Sequence, residues 1–207
     1  MLSGAGRAFC AGQDLTEGHD ASSPAVSIEE KRTGDFQALL AELPQPTIAA
    51  LHGHVVGRGL EIALVCDLRI AADDAQLRLS DVALGMIPAS GGTQRLPRLI
   101  GEARALHLVL TAEALDAATA LSWGLVTRVV PAGELAVAAQ ALGERLAGHA
   151  PLALRYARRA IQEGAGVGLA DGLRLEAALA AVLRTTRDRQ EGPRAFREKR
   201  RPQFTGE

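Results

Sequence analysis

Thr47-Ile48-Ala49-Ala50-Leu51-His52-Gly53-His54-Val55-Val56-Gly57-Arg58-Gly59-Leu60-Glu61-Ile62-Ala63-Leu64-Val65-Cys66-Asp67-Leu68-Arg69-Ile70-Ala71-Ala72 reads as strand, glycine-rich turn, helix and strand in direct succession. Residues 47–51 are a short apolar, partly β-branched run, the composition of a buried strand. Gly53, Gly57 and Gly59 then open a helix over about 60–66, and 68–72 returns to strand. Beyond the Asp73-Asp74 turn signal, residues 76–79 form a further short strand. A Gly/Pro-rich loop over 85–92 leads into helices over about 93–99 and 102–110. Asp116 is placed to cap a helix over 116–123, Gly124 to stop it in the left-handed conformation, and Val126, Val129 and Val130 to make a last strand. From Ala132 onward Leu135, Ala139, Leu142 and Leu146 form one helical stripe, and Leu169, Leu173, Ala177, Ala180 and Leu183 another. Upstream, residues 1–18 are Gly/Ala-rich around Phe9 and residues 17–27 read as a loop. Residues 28–43 set Phe36, Leu39, Leu40 and Leu43 at helical spacing before Pro44 and Pro46. Strands alternating with helices and then helices alone predict an α/β core over 1–131 and a helical region over 132–207.

Composition narrows the function. With 207 residues, 47% of them hydrophobic, the chain can bury a substantial core without disulfides or metal. The balance of 23 Lys+Arg against 24 Asp+Glu leaves no electrostatic footprint for nucleic acid. No uninterrupted apolar run reaches the ~18 residues needed to cross a bilayer. Lys31 and Lys199 are the only lysines, so phosphate recognition would fall to guanidinium groups. Cys10 and Cys66 belong to no C-x-x-C pair or Cys/His cluster and read as reduced core residues. Together with an N-terminus that lacks a secretory pattern, they lead us to expect a cytoplasmic protein.

Three segments can carry chemistry. In Gly4-Ala5-Gly6-Arg7-Ala8-Phe9-Cys10-Ala11-Gly12-Gln13-Asp14-Leu15 the glycines miss the dinucleotide spacing, and no phosphate-loop pattern occurs in the chain. Gly57-Arg58-Gly59-Leu60-Glu61 places glycines at a helix entrance, where backbone N–H groups point outward at the positive end of the dipole and suit a developing negative oxygen. Close packing explains such glycines equally well, and Glu61 in a first turn is also an ordinary dipole partner. In the third, Asp81 stands at the end of a predicted strand, a favoured location for functional groups in α/β folds, and equally a turn or cap position. Ser90 in Ala89-Ser90-Gly91-Gly92 is not a nucleophile elbow. The five histidines make no metalloprotease signature, and His52-x-His54 is a weak metal candidate.

Taken together, these segments resemble the crotonases, the enoyl-CoA hydratase/isomerase family. The resemblance runs from Gly6-Arg7-Ala8-Phe9-Cys10-Ala11-Gly12-Gln13-Asp14-Leu15 through Cys66-Asp67-Leu68-Arg69-Ile70-Ala71, Gly91-Gly92-Thr93-Gln94-Arg95-Leu96 and Trp123-Gly124-Leu125-Val126. It continues to the tail Glu191-Gly192-Pro193-Arg194-Ala195-Phe196-Arg197-Glu198-Lys199-Arg200. It implies the crotonase (ClpP-like) spiral of ββα units with a C-terminal helical trimerisation region, an acyl-CoA substrate, no cofactor beyond the CoA of that substrate, and a trimer or dimer of trimers. It assigns an oxyanion hole to the backbone N–H groups of Gln13 and Arg58, and thioester contacts to Ala11, Gly12, Asp14, Leu15 and Gly57.

In hydratases of this family two carboxylates grip a water and add it across the 2,3 double bond; by position they fall on Glu61 and Asp81. The second is usually glutamate, so the carboxylate here is one methylene, ~1.5 Å, shorter. Both acidic positions are kept and Ala89 carries no acid where some isomerase relatives do, which favours hydration. Double-bond isomerisation is the alternative, and an inactive CoA-binding or oligomeric module the third reading. Relatives carry ββα structure ahead of the first motif, which here starts almost at Met1. Either the start codon belongs further upstream, or the core is genuinely short at its N-terminus, and in that case we expect exposed strand edges.

Overall fold

The computed structural model describes residues 1–14 and 36–207. Leu15, the loop expected over 17–27 and the first part of the helix expected over 28–43 lie outside the described residues. The chain divides into two compact units, Met1–Leu43 with Thr47–Gln140, and Pro44–Pro46 with Ala141–Glu207.

The first unit is built by a chain that steps between two sheets. A four-stranded parallel sheet runs β1 (Leu2–Ser3), β2 (Ile48–Leu51), β4 (Leu68–Ala72), β7 (Arg128–Val130). A three-stranded sheet runs β3 (His54–Val56), β5 (Gln76–Arg78), β6 (Leu115–Asp116), with β6 antiparallel. Each pass lays one strand in each sheet: β2 then β3, β4 then β5. After the first pass comes α2 (Arg58–Val65), following α1 (Phe36–Glu42) in chain order. After the second come α3 (Gly92–Ile100) and α4 (Glu102–Thr111). This is the expected ββα spiral. All of β2 is buried, which is why it reads as an unbroken apolar run rather than an alternating one; β4 is buried after Leu68 as well, and the one charge it takes inside is Arg69. Leu51, Val55, Leu60, Leu77, Leu79, Leu96 and Leu125 form the centre of the core.

Several expectations need correction. Strand β3 was not foreseen. Its three residues lie between Gly53 and Gly57 and only Val55 is fully buried, too short a run for periodicity to register. Helix α2 starts at Arg58 rather than about Leu60, so the Gly57-Arg58-Gly59 segment belongs to its first turn. Asp81 does not end a strand: β5 stops at Arg78, and Asp81 opens a 3-10 turn, Asp81–Leu84, closed by Gly85 at φ 74°. Asp116 does cap α5 (Ala117–Ser122) by accepting from the Thr119 N–H at 2.7 Å, and hydrogen bonding to the Thr119 side chain first, then to its N–H, holds the Asp116 carboxyl below the usual range. Gly124 takes the expected positive φ, 79°.

The boundary between the units falls inside α6 (Leu135–Ala147). In the second unit α7 (Pro151–Gly164) packs on α8 (Leu169–Leu183), with Gly164 and Gly172 at the close approach, and α9 (Arg187–Arg197) follows. The stripe expected to be packed along α8 is only partly covered. Leu169 and Leu173 are 80% and 54% exposed, and Leu179 is the buried residue of that helix. The tail folds back on α9: Thr205 and Gly206 donate to the Asp188 carboxylate at 2.8 and 2.9 Å, and Gln203 donates to Glu191 at 2.9 Å. Arg200, with the Gln203 N–H and Arg194, holds the Glu191 carboxyl far below the usual carboxylate range.

Candidate active site

Phe9 and Cys10 run beside β3 as a parallel bridge. Phe9 donates to His52 O (2.9 Å), Cys10 to His54 O (3.2 Å), and Val56 to Cys10 O (3.0 Å). Three glycines set how near this segment comes to the start of α2. A Cβ on Gly59 would stand 2.3 Å from Cys10 O, and one on Gly53 2.1 Å from Arg7 O. Gly12, at φ 99°, turns the chain so that a Cβ there would stand 3.0 Å from Val56 O and 3.9 Å from Arg58 N. The turn carrying Gly12 and Gln13 therefore lies over the entrance to α2. These approaches are backbone on backbone, so they hold whatever side chains occupy positions 13 and 58. Arg58 is exposed between the buried Gly57 and Gly59.

Gly57 adopts φ 52°, ψ −120°, a conformation closed to other residues, and donates to Arg78 O at 2.8 Å. One turn on, Glu61 is 2% exposed. Its Oε1 accepts from the Ser90 N–H at 2.7 Å and the Gly92 N–H at 2.9 Å. Among the described residues its other oxygen takes no hydrogen bond, so the carboxylate is fixed at one end only. The Asp81 Oδ2 is buried with no partner among the described residues, and it lies 4.0 Å from where a Gly57 Cβ would stand. A buried, unpartnered polar oxygen is costly, of order 1–3 kcal/mol.

The structure thus gathers Gly12, Gly57, Arg58, Glu61 and Asp81 of the sequence candidates around one helix entrance. Ala11, Gln13 and Asp14 lie on the same turn as Gly12. Sequence reasoning missed the grip on Glu61: the main-chain N–H of Ser90, not its hydroxyl, meets the site. The readable signal was Gly91-Gly92 at a helix start, where donor N–H groups gather. Arg69 was missed as well. It is 5% exposed and donates to Leu125 O at 2.7 Å, Cys66 O at 2.5 Å and Ala63 O at 3.4 Å, tying the end of α2 to the segment before β7. Burial lowers its pKa from the ordinary guanidinium value and raises that of the Cys66 thiol. His52 turns its ring to Gly6 O at 3.3 Å, and no group of three or more His, Cys, Asp or Glu gathers at metal-binding spacing among the described residues.

A family model described as enoyl-CoA hydratase/isomerase matches residues 1–207. The chain belongs to that family. As a crotonase it superimposes on a crystal structure of enoyl-CoA hydratase from Bacillus anthracis with a TM-score of 0.92 and 43% identity, over 98% of this chain and 79% of the other. It is 43% identical to the mitochondrial enoyl-CoA hydratase domain-containing protein 2 of Bos taurus, covering 99% of this chain and 71% of that protein. It is 42% identical to the enoyl-CoA isomerase/hydratase fer4 of Mycosarcoma maydis, covering 100% and 76%. The crotonase relatives correct one expectation. Those from Bos taurus, Homo sapiens and Mus musculus are named as mitochondrial, which overturns the cytoplasmic assignment. Both cysteines are free, but only Cys66 is buried and Cys10 is partly exposed, and unpaired cysteines do not choose between compartments. No described helix is long and apolar enough to cross a membrane.

Proposed function

We propose that this crotonase adds water across the 2,3 double bond of an enoyl-CoA thioester. The observation that carries the reading is the pairing of a Glu61 carboxylate fixed at one oxygen with the buried, unpartnered Asp81 Oδ2 at the same helix entrance. The backbone N–H groups of Gln13 and Arg58 would bind the thioester oxygen. Negative charge grows there as an enolate forms, and each such donor lowers the barrier by about 3–4 kcal/mol. Ala11, Gly12, Asp14, Leu15 and Gly57 would border the thioester. Glu61 and Asp81 would hold one water between them: its oxygen bonds to the β-carbon, its proton passes to one carboxylate, and the other carboxyl delivers a proton to the α-carbon. CoA enters as part of the substrate, and the reaction calls on no further cofactor. The exposed apolar residues Leu169, Leu173 and Val182 of α8 support self-association as a trimer or a dimer of trimers.

The shorter Asp81 favours one competing reading, in which a single carboxylate shuttles a proton between carbons and no water is added; the name of the Mycosarcoma maydis relative carries both activities. Loss of the conjugated-thioester absorbance of crotonyl-CoA tests the proposal. Wild type should turn crotonyl-CoA over and Glu61→Gln should lose at least a hundredfold in kcat. Turnover confined to a 3-enoyl-CoA would replace hydration by isomerisation. CoA binding with no turnover of either substrate would leave only a binding module.

A further inference from the structure

We infer that Gly92 is a positioning residue for Glu61, an inference that rests on the proposed role of that carboxylate. Gly92 lies at the start of α3 without the positive φ that makes glycine obligatory at Gly91, φ 103°. The backbone at position 92 would therefore accept any residue, and alanine would gain about 1 kcal/mol of helix propensity. What position 92 lacks is room. A Cβ there would stand 3.0 Å from Glu61 Oε1, 3.3 Å from Glu61 Cγ and 2.8 Å from Pro88 Cβ. The same residue donates its N–H to Glu61 Oε1 at 2.9 Å, alongside Ser90 at 2.7 Å. The absent side chain is thus what lets a buried carboxylate lie against two main-chain donors. Both acceptor directions of Oε1 are taken by these amides, so Oε2 is the oxygen presented to a reacting molecule, and its direction follows from the grip on Oε1.

This differs from the role of the glycines around α2, which space one backbone segment from another. Gly92 spaces a backbone from a reacting side chain and from Pro88 of the preceding loop, so its effect on turnover should pass through the grip on Glu61. Displacing a catalytic group by ~1 Å costs on the order of a hundredfold in rate.

A double-mutant cycle in the full chain tests this, with crotonyl-CoA for turnover and the saturated butyryl-CoA, which cannot be hydrated, for binding. Gly92→Ala should lower kcat ten- to a hundredfold while KM and butyryl-CoA affinity stay within about threefold. In a Glu61→Gln background the same change should lower kcat less than twofold further. Ser90→Pro, which deletes the other donor, should behave alike and serves if Gly92→Ala does not fold. An unchanged kcat in Gly92→Ala or Ser90→Pro, or a loss of equal factor in both backgrounds, overturns the positioning role. A Glu61→Gln enzyme as fast as wild type overturns instead the reading of Glu61 on which the inference rests.

Discussion

At Asp81 the resemblance to the hydratases expects a glutamate, one methylene longer, and among the described residues the Asp81 Oδ2 beside Gly57 has no hydrogen-bond partner. Asp81→Asn keeps the shape and removes the proton exchange, so hydration of crotonyl-CoA should fall at least a hundredfold while butyryl-CoA still binds. Asp81→Glu extends the carboxylate by ~1.5 Å toward the helix entrance. Its rate should stay above that of Asp81→Asn, because the acid is kept although it is displaced. Arg69 does the opposite kind of work, as a buried cation spent wholly on carbonyl oxygens. Arg69→Met would strand the Leu125, Cys66 and Ala63 carbonyls that it serves. The loss should be about 3 kcal/mol of stability, a fall of roughly 6–12 °C in Tm by scanning calorimetry.

Among the elements, the strands and helices that bury a whole face were legible. Strand Leu68–Ala72 falls where it is expected, ahead of the Asp73-Asp74 turn signal, and Asp116 and Gly124 bound their helix through capping chemistry that is local in sequence. Strand His54–Val56 and the start of α2 were not legible, because both depend on the segment around Phe9 and Cys10, which reaches them from some forty residues away in the chain. The site divides in the same way. Glu61 and Asp81 stood out as acids in motif-like surroundings, whereas the Ser90 and Gly92 donors carry no side-chain signature at all. Element packing also yields a test. Gly59 has room for no Cβ because Cys10 O fills the place, so Gly59→Ala must push the turn bearing Gly12 and Gln13 away from α2. Both kcat on crotonyl-CoA, by about a hundredfold, and Tm should fall, and steady-state kinetics beside thermal melting will show it.

For the molecule as a whole, acid sensitivity should be set in the second unit, where Glu191 is folded with its carboxyl far below the usual range, chiefly by Arg200. Such a group adds stability above its unfolded pKa, ~4.3, and that contribution is lost as pH falls from there toward the folded value. Wild type should thus melt progressively lower below about pH 4.3, and Glu191→Gln should flatten that part of the Tm profile while lowering Tm at neutral pH. The open apolar residues of α8 belong to this scale too: light scattering at micromolar concentration should give a trimer or hexamer, and a stable monomer would refute the association. The glycine-spaced approach of the turn at Gly12 to α2 reaches furthest in its consequence. Because that geometry is written in main chain, codons 13 and 58 are free to drift through many amino acids while codons 12, 53, 57 and 59 are not. A saturation library selected for turnover should therefore return broad substitution at Gln13 and Arg58 beside near-fixed glycine at those four positions, the reverse of the pattern in enzymes whose chemistry sits in the side chains.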